Sequence, residues 1–202
     1  IRTESASLKT ADGQMPCHLA RPTAGGPYPA VIVVMEAFGL NAHIKAVAER
    51  IAREGYVTIA PDLYYHFGSP IVPYEDVPKA IAFLQQLDDA KVMAEIGAAI
   101  AHLKRQPDVR PDRIGITGFC MGGRITFLSA VRHPSAIKAA VSFYGGGIAA
   151  DSPSAPINFA DRITAPVLAL FGDKDQLIPL DQLKRIEETM RRLGKTYEEK
   201  VY

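Results

Sequence analysis

The sequence has little net charge and no long apolar run. Its 202 residues include 23 Lys and Arg against 22 Asp and Glu, which gives a formal net charge of +1. The chain therefore lacks the positive field that recruits nucleic acid, and we expect no nucleic-acid partner. No apolar run approaches the roughly 18 residues of a membrane-spanning helix, so we expect a soluble protein with no membrane partner. A basic cluster interleaved with two glutamates predicts the solvated face of a helix: Lys184, Arg185, Arg191 and Arg192.

Cysteine is also scarce, since only Cys17 and Cys120 are present. A chain of this length can bury a sizeable core and does not need a disulfide. The glycine-rich surroundings of Cys120 favour a reduced thiol, so we expect a reducing compartment, most simply the cytoplasm. The available histidines and cysteines show no metal-ligand spacing, and neither a metal nor an organic cofactor is implied.

What the sequence does contain is an alternation of strand-like and helix-like segments. Ala-Asp-Gly-Gln at 11–14 separates two extended halves and predicts an N-terminal hairpin. Helical spacing of apolar residues predicts a helix capped by Asn41 and ended by Gly55, and others at 91–103, up to about His133, and from Leu183 to Gly194. Buried strands are predicted at 30–36, 56–63, 113–119, 138–145 and 165–172, with a last strand at 196–202. This order indicates an α/β fold, a mostly parallel sheet wrapped by helices on both faces, in one domain over 1–202.

Two segments depart from this alternation. Residues 62–78 and 145–163 are rich in Gly, Pro and Ser or in aromatic residues, and each follows a strand end. Ligands of open parallel sheets bind beyond the carboxyl ends of the strands. We therefore expect these two segments to form walls of a pocket.

The stretch GFCMGG, residues 118–123, joins a predicted strand to a predicted helix. G-x-C-x-G in this position has the pattern of a nucleophile elbow with cysteine in place of serine. Side chains at Gly118 and Gly122 would collide with neighbouring elements in so sharp a turn. The turn would expose the Cys120 thiol at a helix N-terminus, where positive partial charge favours an anionic sulfur and N–H groups can hold an oxyanion. The alternative is a buried structural cysteine in a tight turn.

Four motifs together resemble the dienelactone hydrolase family of α/β-hydrolases: GFCMGG, MEAFGL at 35–40, APDLY at 60–64 and GDKDQLIP at 172–179. The resemblance implies that Cys120 is the nucleophile and that Glu36 contacts its thiol and helps to deprotonate it when substrate arrives. It also implies an oxyanion hole formed by the N–H groups of Ala37 and Met121, and it makes Asp175 the acid of the catalytic triad.

Some of these residues keep alternatives. Glu36 could pair with a neighbouring cation or cap a helix, although a carboxylate buried without a partner would be costly. Asp173 competes with Asp175, but Asp-x-x-x-Pro from Asp175 is the family's pattern, and Asp173 is better suited to forming a turn. The acid is therefore assigned to Asp175.

The triad also needs an imidazole base, which follows the acid in the chain order of α/β-hydrolases. All five histidines precede Asp175: His18, His43, His66, His102 and His133. Among them His66 lies in a predicted pocket segment, whereas His133 is at the far end of the elbow helix. The resemblance places the missing histidine beyond Tyr202, in the loop after the strand at 196–202, and a final helix after it. We therefore expect the domain to be incomplete at its C-terminus.

The sequence thus favours a cysteine-dependent hydrolase that opens a small ester or lactone. Three side chains near strand ends or the elbow are candidates to meet an acidic substrate, and each could equally belong to the core or surface: Tyr64, Tyr144 and Arg124. One alternative is a non-catalytic protein of the same fold that binds a ligand or partner. Another is a related peptidase or thioesterase that acts through Cys120.

Overall fold

The structure is a computed structural model that describes all residues, 1–202. Its eight strands form one mixed sheet in the order β1-β2-β4-β3-β5-β6-β7-β8. The strands are β1 (Arg2–Thr10), β2 (Gly13–Arg21), β3 (Tyr28–Val34), β4 (Val57–Pro61), β5 (Val109–Phe119), β6 (Ile137–Phe143), β7 (Val167–Phe171) and β8 (Tyr197–Val201). The helices are α1 (Ala42–Arg53), α2 (Val77–Leu84), α3 (Asp89–Lys104), α4 (Met121–Arg132) and α5 (Leu180–Arg192). The predicted α/β fold with a mostly parallel sheet is confirmed.

The chain divides into two compact units, Ile1–Gly115 and Ile116–Tyr202. The first unit begins with the predicted hairpin, in which β1 and β2 pair in antiparallel register from Arg2 opposite Arg21 to Thr10 opposite Gly13. Strand β2 is also antiparallel to β4, and β3 is parallel to β4. Neither cysteine takes part in a disulfide.

Helix α1 confirms the predicted helix after Asn41. The Asn41 side chain accepts a hydrogen bond from the Ile44 N–H at 3.1 Å, which satisfies one of the donors that a helix leaves open at its start. Ile44, Val47 and Ala48 are buried, as their spacing predicted. Gly55 follows the helix with φ +91°, a conformation that only glycine adopts at low cost.

The first unit differs from the sequence prediction at several boundaries and by one additional helix. Strand β3 ends at Val34, two residues before the predicted end at Glu36. Strand β5 begins at Val109 and so includes Pro111, whose exposed position tolerates a residue without an N–H donor. Helix α2 was not predicted, although Asp76, which accepts from the Lys79 N–H at 3.3 Å, and the proline at 78 are a recognisable helix start. It overlaps the end of the predicted irregular segment 62–78.

The second unit contains the later part of β5, then α4, β6, β7, α5 and β8. Strands β6, β7 and β8 are parallel, with Ala140 opposite Val167 and Val167 opposite Tyr197. Helix α5 buries Leu183, Ile186 and Met190, which confirms its predicted amphipathic pattern. The predicted irregular segment 145–163 contains a short 3₁₀ helix at Pro156–Arg162. None of the helices combines the length and apolar character needed to cross a membrane.

Candidate active site

Cys120 occupies a strained turn between the last residue of β5 and the first residue of α4. Its φ of 54° and ψ of −117° lie outside the regions that side-chain-bearing residues favour. Three backbone hydrogen bonds hold this conformation: the Cys120 N–H donates to the Phe143 carbonyl at 3.0 Å, and the Cys120 carbonyl accepts from Gly123 at 2.9 Å and from Arg124 at 3.2 Å. Strain that the surroundings impose so completely is typical of functional turns.

Glycines allow the turn because other chain segments approach it closely. A Cβ at Gly118 would overlap the Gly122 carbonyl oxygen and lie 2.9 Å from Oγ1 of Thr126, which confirms the predicted steric need at this position. A Cβ at Gly123 would overlap the Phe143 carbonyl oxygen and lie 2.9 Å from the backbone of Gly145. The requirement at Gly123 was not predicted, because it arises from contact with the loop after β6.

The turn sets Cys120 at the start of α4, and the residue is partly exposed. Met121 is the first residue of that helix and is only 5% exposed. Its N–H belongs to the first turn, whose amide groups point along the helix axis toward the N-terminus. The turn thus places a partly exposed cysteine at a helix N-terminus. The reactivity of its thiol and the role of the Met121 N–H as an oxyanion donor stay predictions.

Two predicted substrate contacts, Tyr144 and Arg124, flank this turn. Tyr144 follows β6 with φ 39°, and its N–H donates to the Leu170 carbonyl at 2.7 Å. Tyr144 is 38% exposed. Its ring centroid is 6.3 Å from that of Phe119, the residue before Cys120. Arg124 lies in the first turn of α4, and its side chain passes close to Gly147. Both side chains therefore lie beside the elbow, and their contact with substrate stays a prediction.

Asp175 lies in the loop between β7 and α5. Its carboxylate accepts hydrogen bonds from the N–H groups of Leu177 at 2.8 Å and Ile178 at 3.2 Å. These bonds fix the orientation of a half-buried side chain. Asp173 has an exposed side chain in the preceding turn. The fixed carboxylate favours Asp175 over Asp173, and the role of triad acid stays a prediction.

In the first unit, Glu36 lies just beyond β3 and is 9% exposed. Its Oε2 accepts a hydrogen bond from the Tyr74 hydroxyl at 2.9 Å, and the same hydroxyl accepts one from the Asn41 amide at 3.1 Å. Burial raises the pKa of Tyr74 above its ordinary value, so this hydroxyl remains a donor at neutral pH. Helix capping, one alternative for Glu36, is carried out by Asn41.

The peptide groups beside Glu36 are also anchored. The Glu36 carbonyl accepts from the Gly39 N–H at 3.2 Å, and Gly39 has φ +89° with its α-carbon against the Pro70 carbonyl. The Ala37 carbonyl accepts from the Tyr64 hydroxyl at 3.0 Å. The Tyr64 side chain is fully buried, so it supports the Ala37 peptide, and direct contact between this ring and substrate stays a prediction.

The structure gives contacts for His66, His18 and His102 and places His133 and His43 away from the start of α4 in the chain. His66 Nε2 lies 2.6 Å from Oε1 of Glu95, and His18 Nε2 lies 3.3 Å from Oε1 of Glu49. His133 follows the last residue of α4, at the end opposite Cys120, as predicted, and His43 is exposed. His102 lies next to Gln106. No three His, Cys, Asp or Glu side chains are grouped in a way that would hold a metal ion.

Comparison with known proteins adds a family to this geometry. The model of the dienelactone hydrolase family matches residues 15–202. The chain belongs to the dienelactone hydrolase family. This finding confirms the resemblance carried by the four motifs.

Named relatives in the dienelactone hydrolase family are similar over nearly the whole chain. A protein of Methylorubrum extorquens, provisionally named a carboxymethylenebutenolidase, is 41% identical over 196 residues, which are 95% of this chain and 66% of that protein. A protein of Escherichia coli K12 with the same provisional name is 38% identical over 202 residues, covering 97% of this chain and 73% of that protein. The chain thus spans about two thirds to three quarters of the length of these two relatives.

A solved structure of the same family has the same fold. The crystal structure of a provisionally named dienelactone hydrolase from Klebsiella pneumoniae superimposes with a TM-score of 0.89 and is 38% identical. The match covers 100% of this chain and 85% of that one. Together with the sheet order, it confirms the predicted α/β-hydrolase fold.

Sequence reasoning missed Tyr74, Asn41 and Gly39 as supports of the Glu36 loop. Asn41 was recognised as a helix cap, but its amide also reaches the Tyr74 hydroxyl. In the FGLN stretch after Glu36, the glycine at position 39 indicates a turn and could have been recognised from the sequence. No local pattern could have paired Glu36 with a tyrosine 38 positions further along the chain.

Proposed function

We propose that this chain hydrolyses a small ester or lactone, with Cys120 as the nucleophile. The observation that carries the proposal is the strained conformation of Cys120 at the N-terminus of α4, because a merely structural cysteine has no need of it. Membership of the dienelactone hydrolase family supports the reaction class. The names of the two relatives denote enzymes that open a lactone, which supports a lactone as substrate.

In the proposed reaction, the Cys120 sulfur attacks the carbonyl carbon and the carbonyl electron pair moves onto oxygen. The N–H groups of Met121 and Ala37 donate hydrogen bonds to that oxyanion. Collapse of the tetrahedral intermediate expels the alkoxide, which takes a proton, and leaves a thioester on Cys120. Water then attacks the thioester and releases the carboxylic acid and the thiol. No step requires a metal or an organic cofactor.

Proton transfer is the second part of the proposal. Glu36 assists removal of the thiol proton, and Asp175 orients the imidazole that acts as the base. The chain order of α/β-hydrolases places that imidazole after Asp175. Two observations support the carboxylate roles: the hydrogen bond from Tyr74 that orients Glu36, and the two amide hydrogen bonds that orient Asp175.

The substrate is proposed to carry an acidic group. Arg124 lies in α4 one turn after Cys120 and Tyr144 packs near Phe119, so both flank the elbow within the same unit. A guanidinium can bind a carboxylate through two hydrogen bonds, and a phenol hydroxyl can donate one more. Two matched substrates would test this contact, a lactone with a carboxymethyl substituent and the methyl ester of that substituent. Arg124→Ala should lower kcat/KM more for the lactone with the free carboxylate than for its methyl ester. Equal losses would remove the proposed carboxylate contact.

The nucleophile is tested by p-nitrophenyl acetate hydrolysis with the full-length protein. Cys120→Ala should reduce kcat by at least about 10³-fold, since removing a nucleophile abolishes the step that depends on it. Cys17→Ala is the matched control, because Cys17 is 3% exposed and burial raises its thiol pKa to about 12. An active Cys120→Ala protein would refute the proposal. A wild-type protein inactive towards every small ester and lactone would favour the non-catalytic alternative.

A further inference from the structure

A polar cleft in the second unit lies apart from the elbow. It has a volume of about 390 Å³ and lies between α5 and the 3₁₀ helix at Pro156–Arg162. Helix α5 contributes Arg185, Thr189 and Arg192, which are spaced by four and three residues and so share one face of the helix. The cleft is lined by α5 from Arg185 onward, whereas Asp175 precedes the first turn of that helix.

The guanidinium of Arg185 is held in place before any ligand binds. Its Nη1 donates to the carbonyls of Ala149 and Ala150, each at 3.4 Å, and its Nη2 donates to the Asn158 side chain at 3.2 Å. All three partners are neutral acceptors. These bonds orient the guanidinium without cancelling its charge, and a guanidinium has five N–H donors, so others remain for a ligand.

The basic residues of α5 differ in whether a carboxylate pairs with them. Lys184 lies 3.9 Å from Glu188 and Arg191 lies 3.8 Å from Glu187, each in an ion pair one turn apart. Neither Arg185 nor Arg192, the two arginines that line the cleft, has a carboxylate within 4.0 Å. The sequence predicted this basic cluster to be a solvated helix face, and that description fits Lys184, Arg191 and Arg192, which are exposed, while Arg185 is half-buried.

The remaining walls define the kind of ligand. Ile157 and Leu193 are apolar, and Asp161 places one carboxylate on the wall opposite α5. Two guanidinium groups and one carboxylate leave a net charge of about +1, which suits a monoanion better than a dianion. A planar guanidinium matches a carboxylate through two parallel hydrogen bonds. We propose that this cleft binds a small organic monocarboxylate, with its carboxylate on Arg185 and Arg192 and its apolar part on Ile157 and Leu193.

This second site does not depend on Cys120 or on the proposed hydrolysis. Thr189 supplies a hydroxyl that can donate to the same carboxylate. Arg192 also lies in the last turn of α5, where a positive charge stabilises the helix end. Arg191 has the same role at the helix end but does not line the cleft. Substituting Arg191 therefore shows how much a lost positive charge changes ligand binding when no cleft contact is lost.

The experiment is a calorimetric titration of the full-length protein with sodium benzoate at constant ionic strength. Arg192→Ala should weaken benzoate binding by at least about tenfold, because a charge-assisted hydrogen bond is lost. Arg191→Ala, the matched control, should change the affinity by less than about twofold, since an exposed pair contributes little. Benzamide, the neutral analogue, should bind at least about tenfold more weakly than benzoate.

Several results would overturn the proposal. The proposal fails if the wild-type protein does not bind benzoate or binds benzamide equally tightly. It also fails if Arg192→Ala leaves the benzoate affinity unchanged, or if Arg191→Ala weakens benzoate binding as much as Arg192→Ala does. An unchanged affinity would place benzoate elsewhere, including at the elbow. Arg192→Lys keeps the positive charge but loses the planar pair of N–H donors. Its affinity for benzoate is expected to lie between those of the wild type and Arg192→Ala. A thermal unfolding midpoint of Arg192→Ala close to that of the wild type shows that the loss is not due to unfolding.

Discussion

Gly118→Ala gives the sharpest test of the elbow, because the structure shows what the added methyl group meets. The new Cβ would overlap the Gly122 carbonyl oxygen and lie 2.5 Å from the carbon of that carbonyl. Both atoms belong to the backbone of α4, so they cannot rotate away as a side chain would. The first turn of α4 must shift instead, and the hydrogen bond from Gly123 to Cys120 shifts with it.

The expected cost follows from that overlap. Overpacking of a close-packed site costs about 1–3 kcal/mol, and a clash with backbone belongs at the upper end. A loss of about 3 kcal/mol corresponds to a fall in Tm of roughly 6–12 °C for a domain of this size. Because the shift displaces Cys120 and Met121 together, hydrolysis of p-nitrophenyl acetate should fall by at least about 10²-fold.

Gly172→Ala is the matched control, since Gly172 also follows a buried strand of the second unit. A Cβ at this position meets nothing within 4 Å, and its Tm should stay within about 2 °C of the wild type. Differential scanning calorimetry of both variants measures the difference. If Gly118→Ala melts within about 2 °C of the wild type and keeps full activity, the steric account of the elbow is wrong.

Three further predictions concern single groups. Tyr74→Phe removes the hydroxyl that donates to Glu36 and should lower kcat/KM about tenfold. The surface variant Tyr56→Phe is the control and should leave kcat/KM unchanged. Equal kinetics for the two variants would show that Tyr74 does not position Glu36. Iodoacetamide should label only Cys120 in the native protein and both cysteines in urea, as mass spectrometry would show, because Cys17 is buried with a raised thiol pKa. Burial raises the pKa of Glu95 above its ordinary 4.5, so above that pH the folded state binds more protons than the unfolded chain, and stability falls as pH rises through the raised pKa. Glu95→Gln should remove this pH-dependent contribution. The free energy of unfolding of the variant minus that of the wild type, measured by urea titration, should therefore increase from pH 4.5 to pH 7. A difference that stays constant over this range would contradict the prediction.

Local patterns in the sequence were enough for the order and type of most elements. The cap of α1 at Asn41, the apolar stripes of α1, α3 and α5, and the hairpin at the N-terminus all follow from residues within a few positions of one another. Helix α2 was missed although its start signal at Asp76 is local. The early start of β5 was missed because proline usually interrupts a strand interior, while here it lies at an exposed position.

The sequence by itself also indicated that Cys120 lies in a sharp turn, because glycines at 118 and 122 remove side chains that such a turn would bring into collision. Only the tertiary structure decided what holds the neighbouring groups. The partner of Glu36 is Tyr74, and the partner of the Ala37 carbonyl is Tyr64. In the cleft, Arg185 donates to carbonyls 36 and 35 residues away. Hydrogen bonds between distant positions depend on how whole elements pack, and no short-range periodicity encodes that packing.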